Sequence, residues 1–390
     1  MKWPQKNLGD LAIVSSGDGA PQDASDFGNS GLPFVRAGSL SLLLEGRPES
    51  ELELIPKAIS SNRRMNIFPA KTVLFAKSGM SCTKGLVYQL KSPAHVVNHL
   101  AAIQCGNDLD SRFLLRWFEA NSPARLIANE AYPSIKISDI RAEKIPLPPL
   151  PEQKRIAAIL DKADSLRNKR LETIKQLDKL ARAVFIEMFG DPVTNPKGLK
   201  KEKLEKVCDR VIDCPHSTPN WSQSGVICLR TSNLGKGEWN WSDTRYVTEE
   251  EYQQRVMRST IEPNDIILSR EGTVGVVAIV SKGMRLCMGQ RLVQLRVMES
   301  LLNPVYLLHL LIHDLAPERL SRLMAGSTSK HLNVRELRQL PLLLPPLHLQ
   351  QRFASIITSI QNHKTRRQTQ LAELDTLFTS LQARAFKGEL

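Results

Sequence analysis

Aromatic residues are scarce in this 390-residue chain, at 5% of positions, and long apolar runs are missing altogether. No stretch approaches the roughly 20 apolar residues that a membrane-spanning helix needs. No apolar h-region follows the opening MKWPQKNLGD, so no signal peptide is visible. The six cysteines (Cys82, Cys105, Cys208, Cys214, Cys228 and Cys287) form no Cys-x-x-Cys pair and no framework spacing, which argues against a zinc ribbon or a disulfide scaffold. Free thiols fit a reducing compartment, and the expectation is a cytoplasmic protein without membrane association.

Catalytic signatures are also lacking. Gly79-Met80-Ser81-Cys82-Thr83-Lys84-Gly85 carries glycine and lysine but not the spacing of a phosphate-binding loop. Asn303-Pro304-Val305-Tyr306 mimics the Asn-Pro-Pro-Tyr loop of amino-methyltransferases. It lacks the second proline, no glycine-rich cofactor turn precedes it, and it reads as a helix start. His309 and His313 fall one helical turn apart with no third ligand in view, and they read as packing or surface residues, as do His95 and His99. No cofactor and no metal are expected. The chain itself reads as non-catalytic, the alternative being a standalone enzyme with a disguised site.

Positive charge is in excess, with a formal net charge of +13. The excess is spread along the chain with no basic tail. That pattern fits a folded basic surface for an anionic partner, nucleic acid above all, against the plainer reading of a merely basic soluble protein.

The most informative feature is a repeat. LPPLPEQKRIAAIL from Leu147 recurs as LPPLHLQQRFASII from Leu344, and a shared register at an offset of 197 runs on to Phe189 and Phe386. Gln153 matches Gln350, Arg170 matches Arg367, and Asp178 matches Asp375. Residues 1–146 and 192–342 are mixed, with short β-rich runs and turn signals, while 147–191 and 343–390 are helical. The mixed segments resemble each other too. Leu32–Leu40 parallels Val226–Leu234, and Thr72–Gly79 parallels Asp265–Gly272, each a short apolar strand running into a turn at a basic residue. Val97–Leu100 lines up loosely with Met288–Arg291, and the helical stretches expected at 113–128 and 306–324 also correspond.

In each helical segment an apolar stripe recurs at three- and four-residue steps. Paired prolines precede both stripes, and Gly190 and Gly388 follow them. About 40 residues make a helix of about 60 Å, too long to stand alone in water. Packing of the two copies against each other, antiparallel, is the simplest solution. Packing on the helix's own mixed domain or on another protein is the alternative. The fold class expected is α+β: two similar mixed domains separated by a coiled-coil-like stem of two long antiparallel helices, a pseudo-twofold internal repeat.

These features together resemble the specificity subunit of a type I restriction-modification system. The resemblance rests on the two proline-led helices at 147–192 and 342–361, the segment Asp213–Pro219, the strand-turn Ile267–Gly275 and the closing Phe386-Lys387-Gly388-Glu389-Leu390. The second copy departs from the pattern, with His348-Leu349 where the first has Pro151-Glu152, and with a long polar stretch at 361–370. The resemblance implies two target recognition domains (1–146 and 192–342), each reading half of a split sequence in double-stranded DNA. It implies that the helical regions (147–191 and 343–390) set the half-site spacing and dock two modification (methyltransferase) subunits, with restriction (motor-nuclease) subunits joining them. A reader organised in a modification-only complex stays open.

Polar residues on strand-end turns are the candidate DNA contacts. In the first domain these are Arg36, Ser39, Lys77, Ser78, Lys84, Ser134 and Lys136. In the second they are His216, Ser217, Thr218, Arg230, Ser232, Asn233, Arg270, Glu271, Thr273, Ser327, Thr328, Lys330 and His331. Lys77 and Arg270 stand out because they occupy matching places. For any of them the competing reading is a solvated turn residue or a local cap. The basic belts Arg167–Arg170 and Lys364–Arg367 are a further candidate phosphate contact, with a solvated or partner-facing stretch as the alternative.

Overall fold

A computed structural model describes residues 3–315 and 332–390. The chain divides into two compact units, Met1–Glu172 with Thr369–Leu390, and Thr173–Gln368. Each unit therefore holds one mixed domain and a piece of both long helices. The first long helix runs from Leu150 to Phe189 and the second from Leu347 to Lys387. Gly190 (φ 77°) and Gly388 (φ 79°) follow them in the left-handed conformation that closes helices and that glycine tolerates best.

The two mixed domains repeat one plan. In the first unit the strands order as 12–16, 100–105, 73–76 and 87–89, all antiparallel. In the second the order is 208–213, 292–297, 266–269 and 277–279, again antiparallel. A smaller sheet beside each contains one parallel pair, Leu32–Val35 with His95-Val96, and Val226–Leu229 with Leu286–Met288. The central strands 73–76 and 266–269 are apolar nearly throughout. Val73, Leu74 and Phe75, like Ile266, Ile267 and Leu268, are fully buried, as strands covered on both faces must be.

One expected alignment shifts by a residue. Val97 donates its N–H to Val35 O at 3.0 Å, and the same bond in the second unit comes from Gly289 to Leu229 O at 2.8 Å. Val97 thus corresponds to Gly289 rather than to Met288, and His99 to Arg291. The helix expected over 113–128 spans Ser111–Ala120 instead. It stops because Ser122 caps a new turn that opens on Pro123, which has no N–H to continue the first helix. Its counterpart spans Pro304–Asp314, and the remainder of the stretch to 324 lies outside the described residues. Asn303 caps that helix by accepting N–H bonds from Val305 and Tyr306, as the sequence led one to expect of a helix start.

The repeated glutamine explains why the proline-led motif recurs. Gln153 is fully buried. Its oxygen accepts the Asp110 N–H at 2.8 Å, and its amide donates to Asp108 O and Pro148 O, each at 2.9 Å. Gln350, equally buried, accepts from Asn303 N–H at 2.8 Å and donates to Leu301 O (3.1 Å) and Pro345 O (2.8 Å). Asp110 and Asn303 are the N-caps of the equivalent domain helices. Each glutamine therefore joins the first turn of a long helix to the start of the helix that packs on it.

Within each unit the two long helices pack antiparallel. In the first, Ile156, Ala157 and Leu160 share a core with Phe378 and Ala385. In the second, Phe185 and Phe189 meet Phe353 and Ile357. The seams carry a reciprocal ion pair. Arg167 Nε lies 2.6 Å from Asp375 in the first unit, and Lys364 Nζ lies 2.6 Å from Asp178 in the second. These are the same positions with the copies exchanged. Ring contacts repeat likewise, with Phe113 edge-on to Phe386 and Tyr306 edge-on to Phe189.

The fillings differ. Beside its seam the first unit buries Arg116 among Asp161, Asp164 and Glu119. The second stacks His313 on Phe185 with ring centroids 4.5 Å apart, and sets His309 edge-on to Phe353 at 5.3 Å. Burial pushes both histidines down to about 4, helped by their mutual repulsion at His309 and by Arg182 at His313. Both histidines are therefore packing residues.

Two predictions follow from these cores. Gln153→Ala or Gln350→Ala strands three backbone groups and should cost about 3 kcal/mol, read as a lower urea midpoint. These half-buried histidines, with lowered pKa, bind fewer protons folded than unfolded. Their contribution is thus complete above about pH 6.5 and declines as pH falls toward 4. His313→Phe should flatten that decline in a pH series of melting temperatures. An unchanged slope would contradict the assignment.

Candidate nucleic-acid interface

In the first unit, backbone bonds at the strand ends gather most of the candidate residues. Lys77 follows the strand Val73–Ala76 and is pinned on both sides. Its N–H donates to His99 O at 2.9 Å, and its carbonyl accepts from Ile135 N–H at 2.7 Å. The second bond brings Ser134 and Lys136, which flank Ile135 and are exposed, alongside Lys77 and Ser78. Ser78 Oγ lies 2.7 Å from His99 Nδ1. Arg36 ends the adjoining strand. Its guanidinium bonds Glu53 at 2.6 Å and lies over the Phe34 ring at 5.0 Å, so packing holds the group in a half-exposed place. Ser39 Oγ accepts the Arg36 N–H at 3.3 Å and shapes that turn. Lys84 is exposed at the end of the short turn Met80–Lys84.

The second unit repeats the frame. Arg270 N–H donates to Arg291 O at 3.0 Å, and its carbonyl accepts from Leu332 N–H at 2.8 Å. Arg230 ends the strand equivalent to that of Arg36, and its guanidinium pairs with Asp243. His216, Ser217 and Thr218 are exposed, and Gln290 donates to His216 O at 2.7 Å, which brings that loop to the strand ends. Ser232 and Thr273 are exposed as well, and Glu271 is half-buried. Ser327, Thr328, Lys330 and His331 lie outside the described residues.

Two expected contacts are placed otherwise. Asn233 is 1% exposed. Its oxygen accepts the Arg230 N–H at 2.9 Å, and its amide donates to Asn240 O and Asp243 O at 3.0 and 3.2 Å. All its hydrogen-bonding capacity goes to shaping the loop, which leaves no edge for a base. Arg270 is 9% exposed, with Nε 3.1 Å from Asp213 Oδ1 and a guanidinium nitrogen 3.5 Å from Glu271. It is a buried charge held by carboxylates, unlike its half-exposed counterpart Lys77.

Residues that sequence reasoning passed over stand in the same frame. His99, Gln290 and Arg291 sit where the strand ends converge. Arg291 has φ 69°, a conformation that side-chain-bearing residues rarely adopt. Anchoring the comparison of the halves on Leu100 and Leu292, which begin equivalent strands, would have pointed to them.

The basic belts are partly committed. Arg167 pairs with Asp375 and Asp164 and lies over Phe378. Lys364 pairs with Asp178 and Glu238. Burial opposes the Lys364 charge, yet its two carboxylate bonds outweigh that and raise its pKa. Among the described residues no group of three or more His, Cys, Asp or Glu converges as a metal site. No described helix is long and apolar enough to cross a membrane.

Two like units that each present polar and basic strand ends form a duplicated module. The chain belongs to the family of type I restriction modification DNA specificity domains, whose model matches residues 1–176 and 224–375. It is 27% identical over 237 residues to the type I restriction enzyme MjaVIII specificity subunit of Methanocaldococcus jannaschii, covering 56% of this chain and 55% of that one. It is 26% identical over 297 residues to the EcoKI specificity subunit of Escherichia coli K12, covering 69% and 62%. It thus spans roughly half to three-fifths of the length of the curated relatives it matches. A solved type I restriction-modification S subunit from M. genitalium shares the fold at TM-score 0.61 and 13% identity, with 99% of this chain and 96% of that one covered. A second solved structure, described as the structural basis of complex assembly and conformational transition of the type I R-M system, gives 0.59 at 19% identity, covering 100% and 98%.

Because the Asn233 amide is spent on backbone, Asn233→Ala should cost about 2 kcal/mol. Thermal unfolding would register it, and an unchanged melting temperature would return Asn233 to the candidate contacts.

Proposed function

We propose that this chain is the DNA-reading subunit of a type I restriction-modification complex and is itself non-catalytic. Segments 1–146 and 192–342 each read one half of a split target in double-stranded DNA, and the helical segments 147–191 and 343–390 hold the half-sites at a fixed spacing. The observation that carries the reading is the matched hydrogen-bond frame at the strand ends. Lys77 with His99 and Arg270 with Arg291 are bonded alike, while the side chains set on that frame differ between the units. A common scaffold with divergent edge chemistry suits two readers of different bases. The net charge of +13 supports a polyanionic partner. Lys77, Lys84, Ser134 and Lys136 remain the first unit's best contacts. In the second these are His216, Ser217, Thr218, Ser232, Glu271 and Thr273, with Arg36 and Arg230 at matching places in the two units.

Two modification (methyltransferase) subunits are the proposed partners on the helices, joined by restriction subunits. Leu180 and Leu377 occupy equivalent positions in the repeat and are exposed by 47% and 51%. Apolar side chains left open at matched positions suit two copies of one partner.

Base-resolution methylation mapping in cells carrying the chain with its modification subunit tests this. A bipartite motif that vanishes when the chain is deleted is expected. Methylation that persists without it would refute the reading. Adding or removing one turn in both long helices should change the accepted spacer while leaving the half-sites as they were.

A further inference from the structure

We infer that one side-chain pair in each unit sets base preference at the same place in the fold: Ser78 with His99 in the first, and Glu271 with Arg291 in the second. The inference rests on the DNA-reading function proposed above and names the groups that discriminate.

The equivalence comes from the backbone. The N–H of Lys77 bonds His99 O at 2.9 Å, and the N–H of Arg270 bonds Arg291 O at 3.0 Å. The next residue on the first strand end, Ser78 or Glu271, thereby faces the residue on the second, His99 or Arg291. Both contacts are made. Ser78 Oγ lies 2.7 Å from His99 Nδ1, and Glu271 Oε2 lies 3.3 Å from Arg291 Nε. The backbone frame around the pair is the same in both units, a basic residue after a buried strand and a carbonyl bond to a later segment, although Arg270 is buried against Asp213 and Glu271 where Lys77 is half-exposed. What varies is the hydrogen-bonding chemistry, a hydroxyl with an imidazole in one unit and a carboxylate with a guanidinium in the other.

Each pair can release an edge toward DNA. His99 is exposed, and the Arg291 side chain is 59% exposed. Arg291 is the exposed member of its pair with the half-buried Glu271, whose carboxylate also lies 3.5 Å from Arg270, and such a half-exposed pair is weak. Arg291 can therefore exchange its carboxylate for O6 and N7 of a guanine, while Glu271 accepts from a cytosine amino group. With Nδ1 engaged by Ser78, His99 has Nε2 left to meet a purine N7. Arg291 has a φ of 69°, and strain of that kind concentrates where side chains are aimed for function. The second half-site is therefore expected to contain a G·C pair under Arg291, and the first a purine under His99.

The test uses the full chain in its complex, with base-resolution methylation mapping in cells. His99→Ala should lower the preference at one position of one half-site about tenfold and leave the other half read as before. Arg291→Ala should do the reverse. The double exchange Glu271→Ser with Arg291→His should bring a new base into the second half alone. Motifs identical to wild type in all three variants overturn the inference. So does a uniform loss at every site with an unchanged melting temperature, which marks phosphate contacts. If an alanine variant unfolds, the exchange variant decides. A new base in that half supports the inference, whereas a wild-type motif or a second unfolding overturns it. Failure of the wild-type chain to direct any bipartite motif would instead count against the proposed function.

Discussion

A buried glutamine amide, used twice, fixes the geometry on which the rest of the molecule depends. A pair of prolines, which have no backbone N–H to donate, precedes each long helix, and the carbonyls of Pro148 and Pro345 accept a side-chain amide. Gln153 and Gln350 supply it, and in the same stroke they accept the N–H of the residue that caps the neighbouring domain helix. A shorter side chain would not reach both, and a carboxylate would lose the two donated bonds. The glutamine thus ties the start of each long helix to the cap of the domain helix that packs on it.

Around this fixed joint the two units solve the same packing problem with different materials. The first places an arginine among three carboxylates beside its seam, and the second fills the space with stacked rings. The difference is chemical rather than architectural, since the reciprocal ion pairs and edge-on rings persist in both. Strand ends follow the same rule at larger amplitude. Their backbone bonds are the same in both units, and their side chains differ, several exposed and others, such as Arg270, held by neighbouring carboxylates.

The sequence disclosed much of this, including the long helices, their glycine stops, the strand pairs ending at Arg36 and Arg230, and the correspondence of Lys77 with Arg270. Apolar periodicity and a proline-led motif are local signals, and local signals survive in one dimension. Burial of Arg270 was not legible, because the carboxylate beside it comes from Asp213 on a strand far off in the chain. Nor was the role of Asn233, whose partners are carbonyls brought round by a turn. The one-residue slip at Val97 has the same origin. The three positions before Leu100 and Leu292 share no side chain, and the hydrogen bonds to Val35 and Leu229 fix the register there.

The seam has an evolutionary consequence. Arg167 answers to Asp375, 208 residues away, and Lys364 to Asp178, 186 residues back. Each pair draws one member from either copy, so a charge reversed in one repeat is left unmatched until the other repeat changes too. Along the seam the two repeats must therefore change together, whereas an exposed loop tip carries no such partner in the other repeat.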